Sequence, residues 1–339
     1  MRRKILPIIL VLIIPMTGLF SQDFHYSQFY NEPLNFNPSL AGVMDGDKRI
    51  IFSIRDQYRT TPIPYFTFSG SYDMKFIPNK PSLGYFSAGA VFNYDKQGDA
   101  KFTVFNFNVA GNYTLVINRK NFLSGGGLIG FSNRGFSEND LRWNRQYDPG
   151  RGTYDPTINS GESFESYRFS YLETGLGLNY KYQHTERTSL VLGGSVFHIS
   201  TPSQNFIKYG TDQLDMRFAF MAIGNIKIMD NLDFQANFLY QQQDVYKESV
   251  IGGIAKIYIN KRRGKQLALH LGLLGRFGEG WAPKIAVEYN EFYLSMNYDI
   301  ATKPVLSEIT NYRGGPELHF IYKIKKVKPL SEFKICPIY

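Results

Sequence analysis

Residues 105–115 read Phe-Asn-Phe-Asn-Val-Ala-Gly-Asn-Tyr-Thr-Leu. Phe105, Phe107, Val109, Gly111, Tyr113 and Leu115 stand opposite Asn106, Asn108, Ala110 and Asn112. Successive side chains of an extended chain point to opposite faces, so this period of two marks a β-strand with one apolar and one polar side. The same alternation returns in Leu172-Thr174-Leu176-Leu178-Tyr180, Met216-Phe218-Phe220-Ala222, Leu232-Phe234-Ala236-Phe238-Tyr240 and Phe292-Leu294-Met296-Tyr298. It predicts about fourteen strands. The first seven lie near 49–58, 65–76, 82–94, 101–117, 121–133, 165–182 and 189–199. The others lie near 216–228, 232–241, 249–259, 266–277, 281–289, 292–300 and 315–325. No segment carries sustained helical spacing with caps.

These strands are long. Strands of soluble sheets average about five or six residues, whereas a tilted strand needs about 9–11 to cross a bilayer. The composition agrees with a strand-rich chain: of 339 residues, 43% are apolar, 16% aromatic and only 20% charged. A chain this apolar and ring-rich is not disordered. A single Cys excludes a disulfide scaffold or a multi-Cys metal site. Mean hydropathy is −0.27, too polar for a bundle of membrane helices.

The first residues form a targeting segment. Arg2, Arg3 and Lys4 precede an apolar stretch from Ile5 to Phe20, interrupted by Pro7 and Pro15 and followed by the small residue Ser21. This predicts a signal peptide over 1–21 and export of a chain beginning at Gln22; the alternative is an uncleaved anchor. Cleavage lowers the formal charge from +9 to about +6. An exported, helix-poor chain with about fourteen long strands is predicted to be all-β: a transmembrane up-and-down antiparallel β-barrel over 49–325 in the outer membrane, with a structured N-terminal segment. Closure is required because hydrocarbon cannot satisfy an open sheet edge. Residues 22–48 then form a periplasmic or plug segment, and 326–339 a periplasmic tail.

Outer-membrane barrels have short periplasmic turns and longer outer loops. The longest gaps, 134–164, 200–215 and 301–314, all follow odd-numbered strands, whereas the tightest, at 118–120, 229–231 and 290–291, follow even-numbered ones. Gly278-Glu279-Gly280 is the one short gap that breaks the rule. The parity predicts both ends of the mature chain on the periplasmic side. Rings near strand ends, such as Tyr65-Phe66, Tyr85-Phe86 and Tyr298, suit interfacial girdles.

No catalytic, cofactor or metal constellation emerges. His25, His184, His198, His270 and His319 are scattered, without metal-ligand spacing. Gly125-Gly126-Gly127 lacks the Lys-Ser/Thr of a phosphate loop and lies within a strand, where it makes room for neighbouring side chains. Glu173, Glu288 and Glu317 are expected to face a solvated lumen. The basic runs Lys261-Arg262-Arg263 with Lys265, and Lys323-Lys325-Lys326-Lys328, fall on the periplasmic side. They either meet anionic lipid or a partner or are solvated turns; nucleic acid is not expected for an exported protein. The long gap from Arg134 to Phe164 is polar but carries Trp143, Tyr147 and Tyr154, which suits either partner recognition or a lid over the lumen.

Residues 22–42 fit no strand pattern. They contain Gln22, Asp23, Tyr26, Ser27, Gln28, Phe29 and Tyr30, then Pro33, Leu34, Asn37, Pro38, Ala41 and Gly42. Further on stand Arg55, Gln57 and Tyr58, then Pro64, Tyr65, Thr67, Ser71, Tyr72 and Asp73, and the chain ends Cys336-Pro337-Ile338-Tyr339. These residues resemble the signatures of the PorP/SprF family of type IX secretion outer-membrane proteins, at both ends of the chain. The resemblance implies a non-enzymatic barrel, without cofactor, that assists secretion or surface anchoring of a cognate surface protein or adhesin, in some bacteria for gliding motility. Its implied partners are that secreted protein, other type IX secretion components and outer-membrane lipid. It also makes Cys336 a family feature and suggests that Asn37, Pro38, Arg55, Gln57 and Asp73 fix the N-terminal segment against the wall. The alternative reading is a porin or hydrophobic-compound transporter.

Overall fold

The computed structural model describes residues 25–59, 64–78, 83–98, 101–137, 141–161, 167–206, 212–303, 307–308 and 310–325. The expected signal peptide, Gln22, Asp23 and the tail 326–339 with Cys336 and Pro337 lie outside the described residues.

The strands follow the alternation. They are β1 (Lys48–Gln57), β2 (Tyr65–Phe76), β3 (Gly84–Gln97), β4 (Phe102–Val116) and β5 (Asn121–Gly135). A small hairpin, β6 (Tyr147–Asp148) and β7 (Thr153–Tyr154), stands in the long loop. Then come β8 (Arg168–Thr185), β9 (Thr188–Phe197), β10 (Arg217–Met229), β11 (Leu232–Gln243) and β12 (Tyr246–Asn260). The wall ends with β13 (Leu267–Arg276), β14 (Gly280–Tyr289), β15 (Phe292–Ala301) and β16 (Arg313–Ile324). Fourteen of these close into one antiparallel barrel in sequence order, sealed by β1 against β16 with Phe52 opposite Phe320 and Ile54 opposite Leu318. Each of the fourteen expected strands forms. Among the described residues no helix is long and apolar enough to cross a membrane.

The barrel is inside-out relative to a soluble protein. Ile129 and Leu178 are 59% and 64% exposed on the outer wall, whereas Ser53, Ser69 and Asn93 are fully buried inside. In β4 the Asn face points inward and Phe107, Val109 and Tyr113 point outward. Lipid solvates the apolar face, and the lumen takes the polar one.

The connections at 117–120, 186–187, 230–231 and 290–291 share one end of the barrel, and 136–167, 198–216 and 302–312 share the other. Two tight connections occur at the long-loop end: 277–279, as expected, and also 244–245. The second escapes the alternation because β11 ends in Gln241-Gln242-Gln243, whose polarity is the same on both faces. Asp244 adopts φ +48° to close that turn. Leu176 sits mid-strand on the lipid face, so Leu176→Arg should cost about 2–4 kcal/mol, measured by urea unfolding in lipid vesicles; an unchanged midpoint would contradict the outward orientation of β8.

Candidate functional site

The lumen is filled by the chain itself. Tyr26 to Met44 runs through the barrel and is buried except at half-buried Tyr30 and Val43. Its local structure is three single turns, Phe29–Asn31, Pro33–Phe36 and Pro38–Leu40. Pro33 and Pro38 open the second and third, where a missing N–H costs nothing. Asn37 caps the third, its Oδ1 accepting from Ser39 N at 2.9 Å and Ser39 Oγ at 2.6 Å. Gly42 takes φ +71°, and its N–H donates to Asp73 Oδ2 at 2.7 Å.

The wall grips this plug with charged groups. Glu317 accepts from the backbone N–H groups of Ser27 (2.9 Å) and Gln28 (2.8 Å). Arg55 donates to the His25 carbonyl at 2.5 Å and pairs with Asp299 at 2.8 Å and Glu317 at 3.4 Å. Gln57 also donates to Asp299, which accepts from Ser27 Oγ at 2.9 Å. Arg276 pairs with Glu248 and Glu279 and donates to Ser27 Oγ at 3.2 Å. Lower down, Asp73 holds Arg49 through two bonds of 2.8 and 2.9 Å while accepting from Gly42. Arg217 donates to the Asn35 carbonyl, Asn112 to the Ala41 carbonyl, and Asn179 to the Ser39 carbonyl. Bonds of this kind count for more out of water, and removing one partner of a buried pair costs about 3–5 kcal/mol.

Between these polar contacts lies the apolar core. Tyr26, Phe29, Phe36 and Leu40 pack on Ala219, Met221, Leu239 and Val250. Leu34 and Ala41 pack on Val91, Ala110, Leu128 and Phe197. The Asn37-Pro38-Ser39 turn presses on bare backbone: a Cβ on Gly126 would stand 2.8 Å from Ser39 Cα, and one on Gly177 only 2.1 Å from Asn37 Oδ1. Gly126 therefore makes room for the plug, not for side chains of neighbouring strands.

The plug also sets where the described chain begins. An even number of strands returns Lys325 to the end where β1 starts. The plug adds one more crossing, so His25 lies at the opposite, long-loop end, beside Arg55. His25, the first described residue, thus lies at the long-loop end, while the expected start at Gln22 lies outside the described residues.

Ser27, Gln28, Phe29, Tyr30, Pro33, Asn37, Pro38, Ala41, Gly42, Arg55, Gln57 and Asp73 all gather in the lumen. Trp143, Tyr147 and Tyr154 gather instead in the long loop. Tyr147 and Tyr154 face each other across the β6–β7 hairpin with ring centroids 5.2 Å apart, and Arg142 lies over Tyr154. Glu173 and Glu317 face inward as expected but are 2% and 0% exposed, because plug or loop residues and His198 or His319 take the place of water. Arg276, Glu248, Asp299 and Arg217 escaped sequence reading. Their trace was a charged residue at an inward position near a strand end. Ser53, His319 and Glu317 are linked by bonds of 2.5 and 2.8 Å, yet all three are fully buried beneath Tyr26 and Glu32. Among the described residues no group of three or more His, Cys, Asp or Glu is disposed to hold a metal.

The profile of the type IX secretion system membrane protein PorP/SprF matches residues 19–316. The chain belongs to the PorP/SprF family. No curated protein matches its sequence. Among solved structures it is similar to the TodX deltaS2S3 mutant monoaromatic hydrocarbon channel, at 7% identity over 84% of this chain and 91% of that one, with a TM-score of 0.48. It is also similar to the CymD monoaromatic hydrocarbon channel, at 11% identity over 86% and 92%, TM-score 0.46. CdiB from Escherichia coli aligns at 6% identity over 82% of this chain and 63% of that one, TM-score 0.46. This PorP/SprF protein is an outer-membrane β-barrel.

At the long-loop mouth, burial alone would raise the Glu279 carboxyl, but Arg276, His25 and Arg55 outweigh it and hold the group at about 2. A depressed carboxylate stabilises the fold above its unfolded value and loses that contribution as pH falls towards the folded one. Wild-type protein should therefore lose about 1–2 kcal/mol relative to Glu279→Gln between pH 6 and pH 3, after allowance for partial exposure. Parallel unfolding curves for the two proteins across that range would contradict the Arg276–Glu279 pairing.

Proposed function

We propose that this plugged barrel is a non-enzymatic accessory of the type IX secretion system that assists secretion or surface anchoring of a cognate secreted protein. The observation that carries the reading is the family match over 19–316 on a chain whose lumen is already occupied by Tyr26–Met44. An occupied lumen suits a protein that engages cargo at its ends better than one that conducts it. A diffusion channel or hydrophobic-compound transporter would need an opening through the space that the plug fills.

The contact surface in this proposal is the long-loop hairpin. Tyr147 and Tyr154 are 43% and 40% exposed and held ring to ring, tilted by 57°, by the hairpin, with Trp143 one turn before them. Rigid aromatic side chains on a fixed scaffold give large contact area at small entropic cost. Other secretion components and outer-membrane lipid complete the proposed set of partners.

Deletion of the gene tests the reading, with the surface and secreted proteins compared before and after. Loss of one large surface protein marks a dedicated partner, and loss of many marks a core component. In a complemented strain, Trp143→Ala with Tyr147→Ala and Tyr154→Ala should lower retention of that protein about tenfold or more while the barrel still assembles. Unchanged secretion and surface display in the deletion strain would overturn the proposal.

A further inference from the structure

Below the plug, towards the short-turn end, the lumen opens into a cavity of about 390 Å³, within the size range of ligand pockets. Tyr30, Asn31, Val43 and Met44 of the plug form its roof. Its walls carry Arg49, Lys181, Arg187, Lys256 and Lys323 against Asp45, Asp233 and Glu288, with Glu186 exposed on the adjoining turn.

Most of these charges are matched. Arg187 holds Asp233 through bonds of 2.5 and 3.0 Å, Lys256 holds Glu288 at 2.6 Å, Lys325 holds Asp45 at 2.6 Å, and Arg49 is committed to Asp73. The Lys181 and Lys323 ammonium groups are not: neither makes a hydrogen bond or a close ion pair among the described residues, and Asp45 and Glu288 act on them only from farther away. Two lumen-facing ammonium groups without a close counter-ion, in a cavity walled by low-dielectric protein, concentrate positive potential in that space. The exposed turn Lys261, Arg262, Arg263 and Lys265 extends the same sign around the short-turn rim.

We infer that this vestibule is a binding site for an acidic peptide segment that enters from the short-turn, periplasmic side. The identity of the donor as the secreted partner rests on the function proposed above; the site itself rests on the charge. Barrel wall and plug separate the cavity from the hydrocarbon zone. The chain's own residues 326–339 carry Lys326, Lys328 and Lys334 against Glu332, the wrong sign for this cavity. An acidic segment would give Lys181 and Lys323 the close ion pairs they lack, and such complementarity governs encounter rate and partner choice.

The test uses the full mature chain in nanodiscs of zwitterionic lipid, with fluorescein-labelled hexaglutamate as probe and hexalysine as its control. Hexaglutamate should bind saturably and hexalysine should not, with binding lost at about 0.5 M salt, where screening is nearly complete. Lys181→Gln with Lys323→Gln should weaken binding about tenfold or more, whereas Lys181→Arg with Lys323→Arg should keep it within about threefold. Equal affinity of the Gln variant and the wild type would overturn the inference. So would displacement of the peptide by an equal concentration of inorganic phosphate, or its competition by phosphatidylglycerol in the nanodisc, which would assign the vestibule to a small anion or a headgroup. Peptide binding with normal secretion in the deletion strain would keep the site and remove the secretion reading; secretion that depends on the chain without peptide binding would do the reverse.

Discussion

In hydrocarbon an unpaired backbone N–H or C=O has no water to bond to, and each costs several kcal/mol. That constraint forces the fourteen strands to close, with β1 meeting β16 along eight residue pairs. Closure in turn creates a lumen lined by the polar half of every alternating strand. An empty lumen of this kind would fill with water. Here Tyr26–Met44 fills it, and the polar wall becomes a set of partners for the plug's own amides and carbonyls.

The consequence is a division of labour between the two faces of each strand. The outer faces meet lipid and contribute little to specificity. The inner faces decide the structure, because Glu317, Asp299, Arg55 and Arg276 each bond to the plug or to another group that does. The compact apolar core that a soluble protein builds between layers lies here between plug and wall, around Phe29, Phe36 and Leu40. The residues that resemble the family's signature are accordingly packing residues: those from Ser27 to Gly42 are plug, Arg55 and Asp73 are wall groups that hold it, and Gln57 supports Asp299, which holds Ser27.

What was legible in the sequence was local. Alternation at 105–115 and its repeats depends on neighbours two residues apart, so strand number and strand faces can be read directly. Loop parity gave the two ends of the barrel, apart from the 244–245 turn hidden in a run of Gln. The path of the plug was not legible, because Ser27 meets Glu317 across 290 positions of sequence and Asn37 meets the Leu178 carbonyl across 141. No spacing rule encodes such contacts. From sequence, Glu317 reads as a solvated pore carboxylate for the same reason: its burial is made by residues near the other end of the chain. Gly126 shows the residue-level version, since nothing beside it in sequence reveals that Ser39 will rest on its backbone.

Residues 26–44 occupy the lumen against the inner wall, and a cross-link tests this placement most directly. Asn179 donates to both the Ser39 carbonyl (2.7 Å) and Ser39 Oγ (3.0 Å), so their side chains touch. In a Cys336→Ser background, Ser39→Cys with Asn179→Cys should form a disulfide under mild oxidation in the assembled barrel, since the native side-chain tips stand 3.0 Å apart. Cleavage between the two positions followed by non-reducing electrophoresis reads it out. With the plug in place, the fragments should stay together until reductant is added. Two free thiols, both labelled by maleimide in the folded barrel and giving separate fragments without reductant, would contradict it.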